Sequence, residues 1–193
     1  FQHWIIEFDG PLWFEYGPAP MTALEVDAEL ALVSLVSNSR GETIRIGAEL
    51  DNFQITARAG DAPDIQSIDK LLLSGIVGDD DTLRVRFEAS GVSTSPSAFT
   101  PDVRRAFGDT AELSRLDVSV THWATLANDA DAAAWSRAGG RLHIAESTLE
   151  WGPAHLSGVG EFTLDQTAQL DGRLSLHITD PDALADALVQ AKL

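Results

Sequence analysis

The chain has 193 residues, 44% hydrophobic and 22% charged, a balance that suits a folded domain and excludes intrinsic disorder. Thirty acidic residues against 13 basic ones give a formal charge of −17, which disfavours nucleic-acid backbones and anionic membrane surfaces as partners. The absence of cysteine removes disulfides, thiolate metal sites, thiol nucleophiles and iron–sulfur ligation, and only Lys70 and Lys192 remain for Schiff-base chemistry.

The first 16 residues contain six of the 14 aromatics: Phe1, Trp4, Phe8, Trp13, Phe14 and Tyr16. Trp4, Trp13, Phe14 and Tyr16, together with Trp151, are the candidate ligand-binding residues of an apolar groove. The competing reading places these rings in a core layer or on a face that meets further chain.

Apolar residues then alternate with polar ones, the mark of strands with one buried and one wet face. Leu24, Val26, Ala28, Leu30 and Leu32 begin a strand that could run to Val36, with a bulge or a covered second face near Val33. After a turn at Ser39, Arg40 and Gly41 the pattern resumes at Ile44, Ile46, Ala48 and Leu50. It slips to Phe53 and Ile55, which predicts a bulge or tight turn at Asp51 and Asn52. Ile65, Ile68 and Leu72 have helical spacing and predict a helix over 64–74.

Asp79, Asp80 and Asp81 lack the alternate oxygen ligands of a calcium loop and read as a solvated turn before the strand of Leu83, Val85, Phe87 and Ala89. Thr100, Pro101 and Asp102 start a helix that Gly108 closes. Leu116, Val118 and Val120 form another strand, and an alanine-rich helix over 125–138 ends at Gly139 and Gly140. Further strands follow at Leu142 and Ile144, at Leu149 and Trp151, at Phe162 and Leu164, and at Leu174, Leu176 and Ile178. Asp180, Pro181 and Asp182 open a terminal helix with Leu184, Leu188 and Ala191 inward.

The fold class is therefore mainly β (α+β), a long curved antiparallel sheet with three or four short helices packed on it. Residues 1–193 are expected to be a single domain, with a possible division into 1–108 and 109–193. The start at Phe1, inside an apolar pattern, suggests that a targeting or anchoring segment precedes it. No apolar run reaches the roughly 20 residues of a membrane-spanning helix.

Catalytic signals are weak. The five histidines show no metal-binding spacing, and His143 and Glu146, three residues apart in a strand, are expected on opposite faces. Gly158 and Gly160 lie between strand-like residues and suit close strand crossings better than phosphate binding. Ser157 has no nucleophile-elbow flanks. No metal, cofactor or catalytic residue is expected. An echo links Leu12, Trp13, Tyr16, Gly17 and Pro18 with Leu149, Trp151, Gly152 and Pro153, more readily by coincidence than by duplication.

From Trp135, Arg137, Gly139 and Gly140 through Leu149, Glu150, Trp151, Gly152 and Pro153 to Gly158, Gly160, Gly172 and Leu184, the sequence resembles the C-terminal part of domain-of-unknown-function family 2125, an uncharacterised alphaproteobacterial family. The resemblance implies a hydrophobic anchor in the inner membrane followed by a periplasmic domain; it supplies no catalytic residue. The texture of long strands and short helices is also similar to envelope proteins of the AsmA type, whose sheets form apolar troughs. The expected function is a non-catalytic periplasmic domain of a membrane-anchored envelope protein that contacts lipid through an apolar sheet face. The alternative is an interaction module or accessory subunit of a membrane complex, docking through strand edges and the aromatic N-terminal segment.

Overall fold

The computed structural model describes residues 1–16, 22–59, 63–129, 132–164 and 169–193. Alternation along the chain produces eleven strands: β1 (Gln2–Glu7), β2 (Leu12–Tyr16), β3 (Thr22–Asp27), β4 (Leu30–Ser37), β5 (Thr43–Ala59), β6 (Ile65–Val77), β7 (Thr82–Thr94), β8 (Thr110–Thr121), β9 (Leu142–Trp151), β10 (Ala154–Leu164) and β11 (Leu170–Ile178). They form one open antiparallel sheet in the order β1-β4-β5-β6-β7-β8-β9-β10-β11, with β2 beside β3 and β3 beside β5. Four helices accompany it: α1 (Pro101–Phe107), α2 (Trp123–Asp129), α3 (Ala132–Arg137) and α4 (Pro181–Ala191).

The strand expected from Leu24 to Val36 is two strands, β3 and β4, which follow one another along β5. Its interruption lies at Ala28 and Glu29, where the Ala28 amide donates to the Asp27 carboxylate at 3.0 Å. Register is unbroken through Val33, which faces Ala48, so no bulge occurs there. Residues 64–74 are not a helix; they belong to β6.

The physical reason is a row of irregular positions that crosses the sheet. Register sets Asn52 of β5 opposite Asp69 of β6, Asp69 opposite Gly91 of β7, and Gly91 opposite Glu112 of β8. Asn52 has φ +50° and Gly91 φ +61°, and a side chain at Gly91 would run into the Asp69 carboxylate. At this row each apolar stripe shifts by one residue, so Ile68 and Leu71 stay on one face although three residues separate them. A slipped strand thus imitates helical spacing. The slip expected at Asp51 and Asn52 is this bend, tied to the break between β3 and β4 by the Asn52 amide, which donates to Glu29.

Helix starts follow their capping chemistry. Thr100 Oγ1 accepts from the Val103 amide at 3.4 Å, and Asp180 accepts from Ala183 at 3.0 Å. The acidic turn lies between two strands, and it too acts as a cap: Asp81 accepts from the Trp123 amide through its carbonyl and from Ala124 through its carboxylate, at 3.0 and 2.8 Å. The alanine-rich segment is helical as α2 and α3, with residues 130–131 outside the described residues.

At one end of the sheet α1 and α4 pack together, and Phe107, Ala154, Ala187 and Ala191 form a small core flanked by Trp151, Leu156 and Leu184. At the other end Trp135 is buried; its indole N–H donates to the Thr121 carbonyl at 2.6 Å, and its ring fills the space a side chain at Gly140 would need. Gly158 and Gly160 sit in β10 where added side chains would press on Leu176 and Phe162; the tightness is between paired strands of one sheet, not at a strand crossing.

Candidate functional site

Directly paired residues in antiparallel strands share a face, so the registers define two surfaces. One row runs Trp4, Leu35, Ile46, Gly75, Val85, Val118, Ile144, Gly160 and Leu174 across nine strands. The adjacent row runs Ile6, Val33, Ala48, Leu73, Phe87, Leu116, Ser147, Gly158 and Leu176. Seventeen of these eighteen positions are apolar or glycine, and Ser147 alone carries a hydroxyl. Helices cover this face only near the ends of strands, and it stays open between them: Leu116 of β8 is 37% exposed, and Leu174 and Leu176 of the edge strand β11 are 48% and 58% exposed.

The opposite face is charged. Lys70 bridges Glu49 and Asp51 at 2.9 and 3.4 Å, and Arg115 bridges Glu88 and Glu146 at 3.0 and 3.2 Å. The hydrogen bonds these cations donate, Lys70 to Glu49 and Arg115 to Glu88 foremost, hold both above their ordinary pKa values. His143 and Glu146 share this face, against the expectation from strand spacing. Between Asp117 and Val118 the register with β9 shifts by one residue, and the extra residue, Ala145, turns His143 back beside Ser119. Among the described residues no three His, Asp or Glu side chains are grouped so as to hold a metal ion.

The candidate aromatics do not converge. Trp4 and Phe14 lie on the apolar face near the first edge, Trp4 59% exposed. Trp13 is on the other face, where Arg58 lies over its ring at 5.2 Å and pairs with Glu25. That pairing, chiefly the Arg58 hydrogen bond, lowers the Glu25 pKa. Tyr16 ends β2, and its side chain, like Gly17 and Pro18 of the echo, lies outside the described residues. Trp151 is at the far end of the apolar face, packed between Phe99 and Phe107 with ring centroids 5.0 Å from each, its indole N–H donating to the Gly108 carbonyl at 3.2 Å.

Two hollows open on the apolar face. One of about 250 Å³ lies in the bend, lined by Phe8, Leu12, Phe14, Val26, Leu50 and Phe53. The other, about 340 Å³, is lined by Phe87, Leu116, Leu149, Leu156 and Leu176. A larger depression of about 550 Å³ on the charged face owes its width to the small residues Ser34, Gly47 and Ser74. Sequence reasoning found the aromatics but missed Phe53, Leu116 and Leu176 as lining; their common face follows only from strand register.

Fold and site define an open, single-layer amphipathic β-sheet protein with one apolar face left largely uncovered. The chain belongs to the family of uncharacterized proteins conserved in bacteria, DUF2125, whose model matches residues 1–193 and so extends well beyond the last third that carried the resemblance. No curated protein and no solved structure matches it. Among the described residues no helix is long and apolar enough to cross a membrane.

Proposed function

We propose that this chain is a non-catalytic, periplasmic domain of a membrane-anchored bacterial envelope protein whose apolar sheet face holds the acyl chains of a lipid. The observation that carries the reading is uncovered apolar area. A compact protein of 20.7 kDa exposes about 8,900 Å², whereas this chain exposes 12,181 Å². The difference, about 3,300 Å², is what a single layer exposes by leaving both faces in water, and on the apolar face it leaves Leu116, Leu174 and Leu176 open. An uncovered face of this kind gains free energy when an apolar ligand displaces its water.

The two hollows suit flexible hydrocarbon, because aliphatic and aromatic side chains dominate their walls; the second also has serines, and the guanidinium of Arg115 at its rim is engaged by Glu88 and Glu146. The experiment is purification without detergent, organic extraction, and mass spectrometry of the extract. Lipid in near-stoichiometric amount is expected, reduced at least fivefold by Leu116→Asp, which places a charge beside the second hollow at an exposed position. Co-purification with a protein and no lipid would replace this reading with the docking module.

A further inference from the structure

The free edge at β11 carries a proposal that does not rest on lipid binding. All nine residues of β11 are exposed, and among the described residues only β10 pairs with it. The Thr179 amide donates to the His155 carbonyl at 3.1 Å, so odd-numbered residues of this strand spend their backbone groups on β10. Those of Leu170, Gly172, Leu174, Leu176 and Ile178 therefore point outward. Natural edges are blunted by proline, lysine, bulges or brevity. The first edge has such a device, being broken between β1 and β2 at Phe8–Pro11, with Glu7, Asp9 and Glu15 along it. β11 has neither proline nor lysine, and its register with β10 is unbroken.

We propose that β11 pairs antiparallel with β11 of a second copy of this chain, about a two-fold axis at Leu174. The strand is self-complementary in that register. Leu170 meets Ile178, Gly172 meets Leu176, and Leu174 meets itself, so each outward backbone group finds its counterpart and apolar side chains meet on one face. On the other face Asp171 meets His177 twice, and Arg173 meets Ser175. Shifting the axis by one residue either way sets Arg173 against Arg173, which like charge disfavours, or moves Asp171 away from His177 and sets Arg173 there instead. Larger shifts leave Leu170 or Ile178 unpaired. The formal charge of −17 on each copy opposes association, but at physiological salt the repulsion is screened beyond about 8 Å. The pairing gives one sheet with both apolar faces on the same side.

The test joins sedimentation with single-cysteine cross-linking, which the cysteine-free chain makes unambiguous. Wild type is expected to reach twice the 20.7 kDa chain mass at tens of micromolar. Leu174→Pro loses only an outward N–H, a position edge strands tolerate, and is expected to weaken association at least tenfold with an unchanged circular dichroism spectrum. Under oxidation Leu174→Cys should form a disulfide dimer, since opposed Cα atoms lie within the roughly 4.4–6.8 Å a disulfide spans. Leu170→Cys should not, because its symmetry mate lies about 26 Å away at eight residues of about 3.3 Å. A wild type that stays monomeric overturns the proposal, as does a dimer that survives Leu174→Pro or links Leu170→Cys as readily as Leu174→Cys. If Leu174→Pro does not fold, the two cysteine variants decide alone.

Discussion

Trp151 and Trp4 stand on the same face of one sheet, Trp4 on the edge strand β1 and Trp151 on β9, two strands short of the other edge, and differ in what lies above them. Over Trp151 the chain folds back α1 and α4, giving the ring two aromatic neighbours and a carbonyl for its N–H. Over Trp4 nothing in the described chain returns, and the ring stays 59% exposed. The strand pattern is the same in both places; the covering helices alone make one tryptophan core and the other surface. An apolar residue on a sheet face is thus only an offer of burial, completed by a partner.

Stability measurements can break that contrast. The largest effect expected is from Trp151→Ala, which removes the ring between Phe99 and Phe107 and should cost about 3 kcal/mol in denaturant unfolding. Gly152→Ala should follow at about 2 kcal/mol. Gly152 has φ +52°, and an added Cβ would lie 2.5 Å from the Phe107 carbonyl oxygen, against backbone that α1 holds in place. Trp4→Ala should change stability by less than about 0.5 kcal/mol, as surface substitutions do. A loss from Trp4→Ala as large as that from Trp151→Ala would mean that the N-terminal edge is covered in solution, and the two ends would no longer differ.

Alternation at Leu83–Ala89 or Leu116–Val120 was legible because period two is a property of the strand itself, and the helix starts at Thr100 and Asp180 because capping is local. The bend was only half legible. At Asn52 it appeared as a phase slip in a strand otherwise well marked, but at Asp69 the same slip set Ile68 and Leu71 a helical step apart, and Leu72, which faces Glu49 and Glu88 on the charged side, completed a false helical spacing. What distinguished the two was the partner strand, since Asn52, Asp69 and Gly91 line up only once β5, β6 and β7 are paired. His143 and Glu146 failed for the same reason: the bulge at Ala145 is a relation between β8 and β9. The candidate site depends on register throughout. Trp13 and Phe14 looked alike as neighbours in an aromatic segment, whereas the pleat sends one to Arg58 on the charged face and the other into the apolar bend.

The smallest effect expected concerns how the covered end is fastened. Asp102, in the first turn of α1, accepts from Lys192 Nζ at 2.5 Å and from Arg105 at 2.8 Å, tying α1 to the end of α4. The Lys192 hydrogen bond first, and that of Arg105 second, hold the Asp102 carboxyl below its usual value of 3.8. A carboxyl with a depressed folded-state pKa contributes stability above the unfolded value and loses it as pH falls through the folded one. Wild type should therefore lose stability relative to Asp102→Asn as pH drops below about 3.8, with the two converging in stronger acid. The groups are open to solvent and salt screens them, so the divergence should shrink at about 1 M salt. Parallel pH curves would mean that Lys192 does not hold Asp102 in solution, leaving α4 fastened over Trp151 by apolar packing alone.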